Sequence, residues 1–163
     1  MPTKITLNNK TFKFNEKFLP YLVVWVQKSW ASYFSISLVA NLINQGCKII
    51  FFTAFLMAKQ ELLTKIWKEK TFNITKKDDL KNIPQNQSII IQSWNKEELK
   101  QVIKNIKNLE DYIIFVKNIE EYDDSILEII GTNKKIILSW NLDDCSFKDS
   151  IINKRWESKI IFT

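Results

Sequence analysis

Six short runs of almost purely apolar residues punctuate the chain. They are YLVVWV at 21–26, KIIFF at 48–52, SIIIQ at 88–92, YIIFV at 112–116, KIIL at 135–138 and KIIF at 159–162. A strand with one face in water alternates apolar and polar residues; a strand that does not alternate is covered on both faces. Helical spacing fills the intervals. Residues 32–45 place Ile36, Val39, Leu42 and Ile43 on one face and stop before Gly46, a residue suited to the position after a helix end. Residues 57–66 read as a second helix. Asn95, followed by Glu98, makes a capping-box-like start for a helix through 108, with Leu99, Val102, Ile103 and Ile106 inward. Asp123 or Asp124 caps a short helix with Ile126, Leu127 and Ile130, which Gly131 stops. Buried strands alternating with helices predict an α/β fold. Its sheet is mostly parallel, of about five or six strands, with helices on both faces.

Two stretches lie outside this rhythm. Residues 4–14 (KITLNNKTFKF) predict a short N-terminal hairpin turning at Asn8-Asn9. Residues 68–87 are polar, carry Pro84, and predict a loop with at most a short turn. At 163 residues the chain is expected to form one domain with a sizeable core.

Composition removes several chemistries. There are no histidines, which excludes His-based general bases, triads and His-ligated metals. Cys47 and Cys145 fit no metal spacing and are expected to be reduced. The net charge is +6, carried by lysines, with Arg155 the sole arginine. That excess serves either as a solvated surface or as a diffuse attraction for phosphates and nucleic acid. No apolar run approaches the roughly 20 residues that span a bilayer, and the N-terminus lacks the apolar core of a signal peptide. A cytoplasmic protein with no membrane partner is the expectation.

In parallel sheets ligands bind at the carboxyl ends of strands. The loop after the first run therefore carries the most weight. A working phosphate loop is G-x-x-x-x-G-K-[ST]: glycines let backbone N–H groups wrap phosphate, the lysine neutralises it, and the hydroxyl binds Mg²⁺. With Ser32 at the hydroxyl position, Trp25 and Trp30 fall on the glycines, Ala31 falls on the lysine, and Val26, Gln27, Lys28 and Ser29 fill the gap. The span and the hydroxyl match; three signature residues do not. Lys28 stands as a substitute cation or as a solvated loop lysine.

Residues 21–52 as a whole resemble the start of P-loop NTPases of the RecA-like and AAA-like kind. There too an apolar strand, a phosphate loop, a helix and an Asn-Gln-Gly-type turn lead to a strand ending in Thr-Ala, here Thr53-Ala54. The later order of strands and helices extends the resemblance over most of the chain. It implies a nucleotide-binding ATPase-like domain, weak or inactive in hydrolysis, with ATP and Mg²⁺ as cofactors. The backbone of Trp25, Val26, Gln27, Lys28, Ser29, Trp30, Ala31 and Ser32 would surround the phosphates, with Ser32 on the metal. In that family a carboxylate after the 112–116 strand orders the Mg²⁺ shell; here Lys117 stands there, and a cation opposes a dication. Glu120 or Glu121 would have to substitute, or else serve in a solvated turn. Asn141, after the fifth run, best matches a polar sensor position, so Glu120 and Asn141 are the candidate catalytic residues. Asp143 and Asp144 read as a cation pair or as a helix cap, and Arg155 as a finger across a subunit interface or a surface residue. The alternative function is a silent pseudo-ATPase that serves as an interaction module for a protein, a second copy of the chain, or nucleic acid. A flavodoxin- or receiver-like domain is a third reading, disfavoured by the absence of a clustered acidic pocket.

The chain has 2 glycines and 6 tryptophans, and Trp25, Trp30, Trp94 and Trp140 all stand where small turn residues belong. Either these are genuine packing residues, or they are glycines encoded by a triplet that is a stop in the standard code, Trp in some lineages and Gly in others. Glycine at 25 and 30 would give GVQKSGAS. The misreading requires the recoded stop triplet at both positions, and sequencing the gene tests it: an ordinary tryptophan codon at either one rules it out.

Overall fold

The computed structural model describes residues 3–7, 10–14, 21–25, 31–123, 125–130, 135–141 and 159–162. Residues 26–30, and with them most of the expected phosphate loop, lie outside the described residues, as do Asp124, Gly131, Asp143, Asp144, Cys145 and Arg155.

The expected hairpin is present: β1 (Thr3–Leu7) pairs antiparallel with β2 (Lys10–Phe14). The apolar runs become β3 (Tyr21–Trp25), β4 (Lys48–Thr53), β6 (Ser88–Gln92), β7 (Tyr112–Lys117), β8 (Ile136–Asn141) and β9 (Lys159–Phe162). A further strand, β5 (Thr71–Ile74), lies where a loop was expected. Its apolar signal is only Phe72 and Ile74, and it is ordered by parallel pairing along β6. Among the described residues the sheet thus has seven strands in the order β5-β6-β4-β7-β8-β3-β9, with every pairing parallel. The helices are α1 (Ala31–Asn44), α2 (Leu56–Leu63), α3 (Lys96–Asn105) and α4 (Ile126–Ile130).

Chain direction decides which face each helix covers. From β3 the chain moves across the sheet to β4 and on to β5; the intervening α1 and α2 pack with Ile49, Phe51, Ile90, Phe115 and Ile137 on one face. From β5 it returns through β6, β7 and β8. Here α3 and α4 pack with Ile50, Phe52, Ile91, Val116 and Leu138 on the opposite face. Right-handed crossovers require this swap of faces when direction reverses. Both faces are therefore dry, which explains the absence of alternation in the strands. The resulting α/β layout fits a P-loop-like fold.

Local signals set the ends. Gly46 takes φ 94° after α1, in the region that favours glycine. The Asn95 side chain accepts from the Glu97 N–H at 3.0 Å and starts α3. Asp123 accepts from the Ser125 N–H at 3.0 Å ahead of α4 and pairs with Lys96 at 2.7 Å, tying α4 to α3. The lysine's hydrogen bond holds the Asp123 carboxyl down at about 2. Lys59 of α2, itself buried, donates to the Ile74 carbonyl at 2.6 Å and anchors the edge strand β5. Among the described residues no helix is long and apolar enough to cross a membrane.

Phe115 is fully buried, with its ring 5.7 Å from that of Phe51. Phe115→Ala is expected to cost about 3–5 kcal/mol in urea unfolding, whereas Met57→Ala, at 81% exposed, should stay within about 0.5 kcal/mol.

Candidate functional site

Adjacent strands whose outgoing helices cover opposite faces leave a crevice at their carboxyl ends. β4 and β7 are such a pair, since α2 follows β4 on one face and α4 follows β7 on the other. On their last rung Thr53 lies beside Lys117. One strand further, Val116 pairs with Leu138, so Ser139 lies next to Lys117, and Ser139 in turn pairs with Val23 of β3. Side chains alternate along a strand. Thr53, Lys117 and Ser139 each lie two residues beyond a member of the core cluster packed with α1 and α2 (Phe51, Phe115 and Ile137), and so face that side of the sheet. All three are buried, Thr53 and Ser139 completely and Lys117 to 3% exposure.

A buried ammonium is the unusual feature of this edge. Burial pushes Lys117 from an ordinary 10.5 to about 8, against the pull of the Glu120 and Glu61 carboxylates. Its Nζ donates to Asn118 Oδ1 at 2.7 Å, and Asn118 Nδ2 donates to Glu120 Oε1 at 2.9 Å. Asn118 holds the left-handed conformation, φ 61°, which turns the chain sharply out of β7 and brings its amide under the lysine. Thr53 Oγ1 accepts from the Phe55 N–H at 3.2 Å and shapes the turn into α2. Next to it, Ser93 N donates to the Thr53 carbonyl at 2.9 Å, and Tyr122 OH donates to the Ser93 carbonyl at 2.7 Å. Burial pushes the Tyr122 hydroxyl up, so it stays a neutral donor. Two hydroxyls on this side of the sheet stand apart from these contacts. Ser139 Oγ and Ser35 Oγ, the latter in the second turn of α1, are fully buried and have no hydrogen-bond partner.

Of the sequence-predicted positions, Trp25, Ala31, Ser32, Glu120 and Asn141 lie among the described residues. Trp25 is the last residue of β3, and it pairs with Asn141, the last residue of β8. Residues 139–141 therefore extend β8 between its neighbours, where a loop after residue 138 was expected. Ala31 and Ser32 open α1, a helix with no acidic residue in its first turn. Val26, Gln27, Lys28, Ser29 and Trp30 lie outside the described residues. Glu120 belongs to the single turn Ile119–Glu121 and is tied to Asn118. Trp94 stacks edge-on against Phe55 at 5.5 Å while 62% exposed. Neither Trp67 nor Trp94 takes a positive φ, so the backbone at these two positions does not demand glycine.

Where a carboxylate would be needed for Mg²⁺, the edge of β7 holds a buried cation, and among the described residues no group of three or more acidic, Cys or His side chains gathers. A cleft of about 290 Å³ opens at the opposite, amino-terminal edge beside Gln45, Lys48, Asp111 and Lys135. It lies away from the strand ends where parallel sheets hold ligands.

No protein-family model matches the chain, and no curated protein matches it. Among solved structures it is similar to the genome packaging NTPase B204 from Sulfolobus turreted icosahedral virus 2, determined in complex with sulfate. The TM-score is 0.48 at 14% identity, over 78% of this chain and 66% of that one. The chain thus spans just under two thirds of that protein's length.

Lys117→Met removes a buried charge. The unfolded chain holds the Lys117 proton more tightly than the native state does, because the native value is about 8 and the ordinary one 10.5. Native stability therefore rises with pH across that window. The variant is expected to be more stable than the parent below pH 8, by on the order of 1–3 kcal/mol. That advantage should fade toward pH 10.5. Urea midpoints at pH 7 and 10 check this.

Proposed function

We propose that the chain is a nucleotide-binding, ATPase-like domain with weak or no hydrolysis. The carrying observation is the placement of α1. Its N-terminus, with Ala31 and Ser32, follows β3 at the carboxyl edge of the sheet, and β3 pairs with β8, the strand that carries the orphan hydroxyl of Ser139. The first turn of a helix offers unpaired N–H groups and a partial positive charge, a combination suited to phosphate. The backbone of Trp25, Val26, Gln27, Lys28, Ser29, Trp30, Ala31 and Ser32 lines the phosphates in this reading. Ser32 supplies the hydroxyl and Asn141 a polar contact from β8.

Weak hydrolysis follows from charge. The position of the usual loop lysine is Ala31, and Thr53-Ala54 puts no carboxylate after β4 to orient a water. Each lost charge-assisted contact costs on the order of 1.5–3 kcal/mol, about 10- to 200-fold in affinity. Glu120, held by Asn118, is the carboxylate at the Lys117 edge that takes part in this reading. The second reading, an interaction module without nucleotide, is favoured by a different feature. Leu56, Met57 and Trp94 are exposed beside Phe55 at the same end of the sheet.

Thermal unfolding with ATP, with and without Mg²⁺, separates the two. Nucleotide at about 100 times its Kd contributes about 2.7 kcal/mol, which is about 5–10 °C for a domain of this size. The parent and Trp25→Gly/Trp30→Gly should both be compared. A shift in either supports the nucleotide site, and a shift in the glycine form alone points to misread codons. No shift in either, with both folded, leaves the interaction module.

A further inference from the structure

We propose that Lys117 and Ser139 form the anion-binding floor of a polyphosphate site that works without a metal ion. The inference rests on the nucleotide reading above and goes beyond it by assigning a buried cation to the phosphates. Position 31 is alanine, and the cation at this edge of the sheet is the buried Lys117.

The geometry carries this. Lys117 and Ser139 lie on neighbouring strands, about 4.8 Å apart in such a ladder, and face the same side of the sheet. Both are buried. A buried hydroxyl without a partner is costly, on the order of 1–3 kcal/mol, and Ser139 Oγ has none. A phosphate oxygen at this edge would accept from Ser139 Oγ and meet the Lys117 ammonium in a low dielectric, where the attraction is far stronger than at a solvated surface lysine. Ser35 Oγ is a second orphan on the helix that covers this face. A magnesium–phosphate complex brings less negative charge and a dication that Lys117 repels. The metal-free polyphosphate is therefore the preferred ligand.

The test is titration of the protein with inorganic tripolyphosphate and with ATP, each in EDTA and again in excess Mg²⁺, by calorimetry. Binding is expected in EDTA and at least about tenfold weaker in Mg²⁺. Lys117→Met should lower the EDTA affinity on the order of 10- to 100-fold, and Ser139→Ala by about tenfold. Lys104→Met, at an exposed position of α3, should leave it unchanged. If Lys117→Met fails to fold, Ser139→Ala carries the test, since it removes only an unpartnered hydroxyl. Binding that needs Mg²⁺ and ignores both floor variants overturns this inference while leaving the nucleotide reading intact. No binding under either condition overturns both. An equal loss in Lys104→Met assigns the affinity to diffuse surface charge and overturns the floor.

Discussion

Burial of the sheet on both faces is the constraint from which the other features follow. Each strand residue must enter one of two cores, and the strands stay apolar until they run out at the carboxyl edge. There the first polar side chains still lie under a helix. Thr53, Lys117 and Ser139 are those side chains on three adjacent strands, and all are buried. Lys117 cannot turn outward without breaking the β4–β7 rung it shares with Thr53. The strand ends only one residue later, where Asn118 takes φ 61°. The same geometry that closes the core thus confines a cation on the side of the sheet that α1 and α2 cover.

A confined cation changes what the edge can do. A P-loop-like layout ordinarily sets a metal against phosphate, with carboxylates behind the metal and a lysine in the loop. Here the loop position is Ala31 and the floor position is Lys117. Lys117 lies at this edge with the Glu120 and Glu61 carboxylates acting on it, and Ser139 is buried on the neighbouring strand. Leu56, Met57 and Trp94 are exposed at the same end of the sheet, with Phe55 half-buried against Trp94.

Much of the fold was legible because apolar runs report burial directly. KIIFF, SIIIQ and YIIFV could only be covered strands, and Asn95 and Gly46 marked helix ends by their own chemistry. β5 was not legible: TFNI has two apolar residues in a polar stretch, and its order comes from β6 and from Lys59 reaching the Ile74 carbonyl. The end of β8 was misjudged for a related reason, since Ser139, Trp140 and Asn141 are held as strand by β3 on their flank. At the edge, sequence located Lys117 at the carboxylate position but not its burial. Ser35 and Ser139 carried no local signal, because a serine in a helix or at a strand end reads the same whether or not its hydroxyl finds a partner.

Hydrogen–deuterium exchange with and without saturating ATP tests a nucleotide at the carboxyl edge most directly. Protection is expected in the first turn of α1, at residues 31–35, and at the ends of β7 and β8, at residues 117–120 and 139–141. Protection concentrated at residues 45–48 and 111–113, around the amino-edge cleft, or no change anywhere, would contradict it.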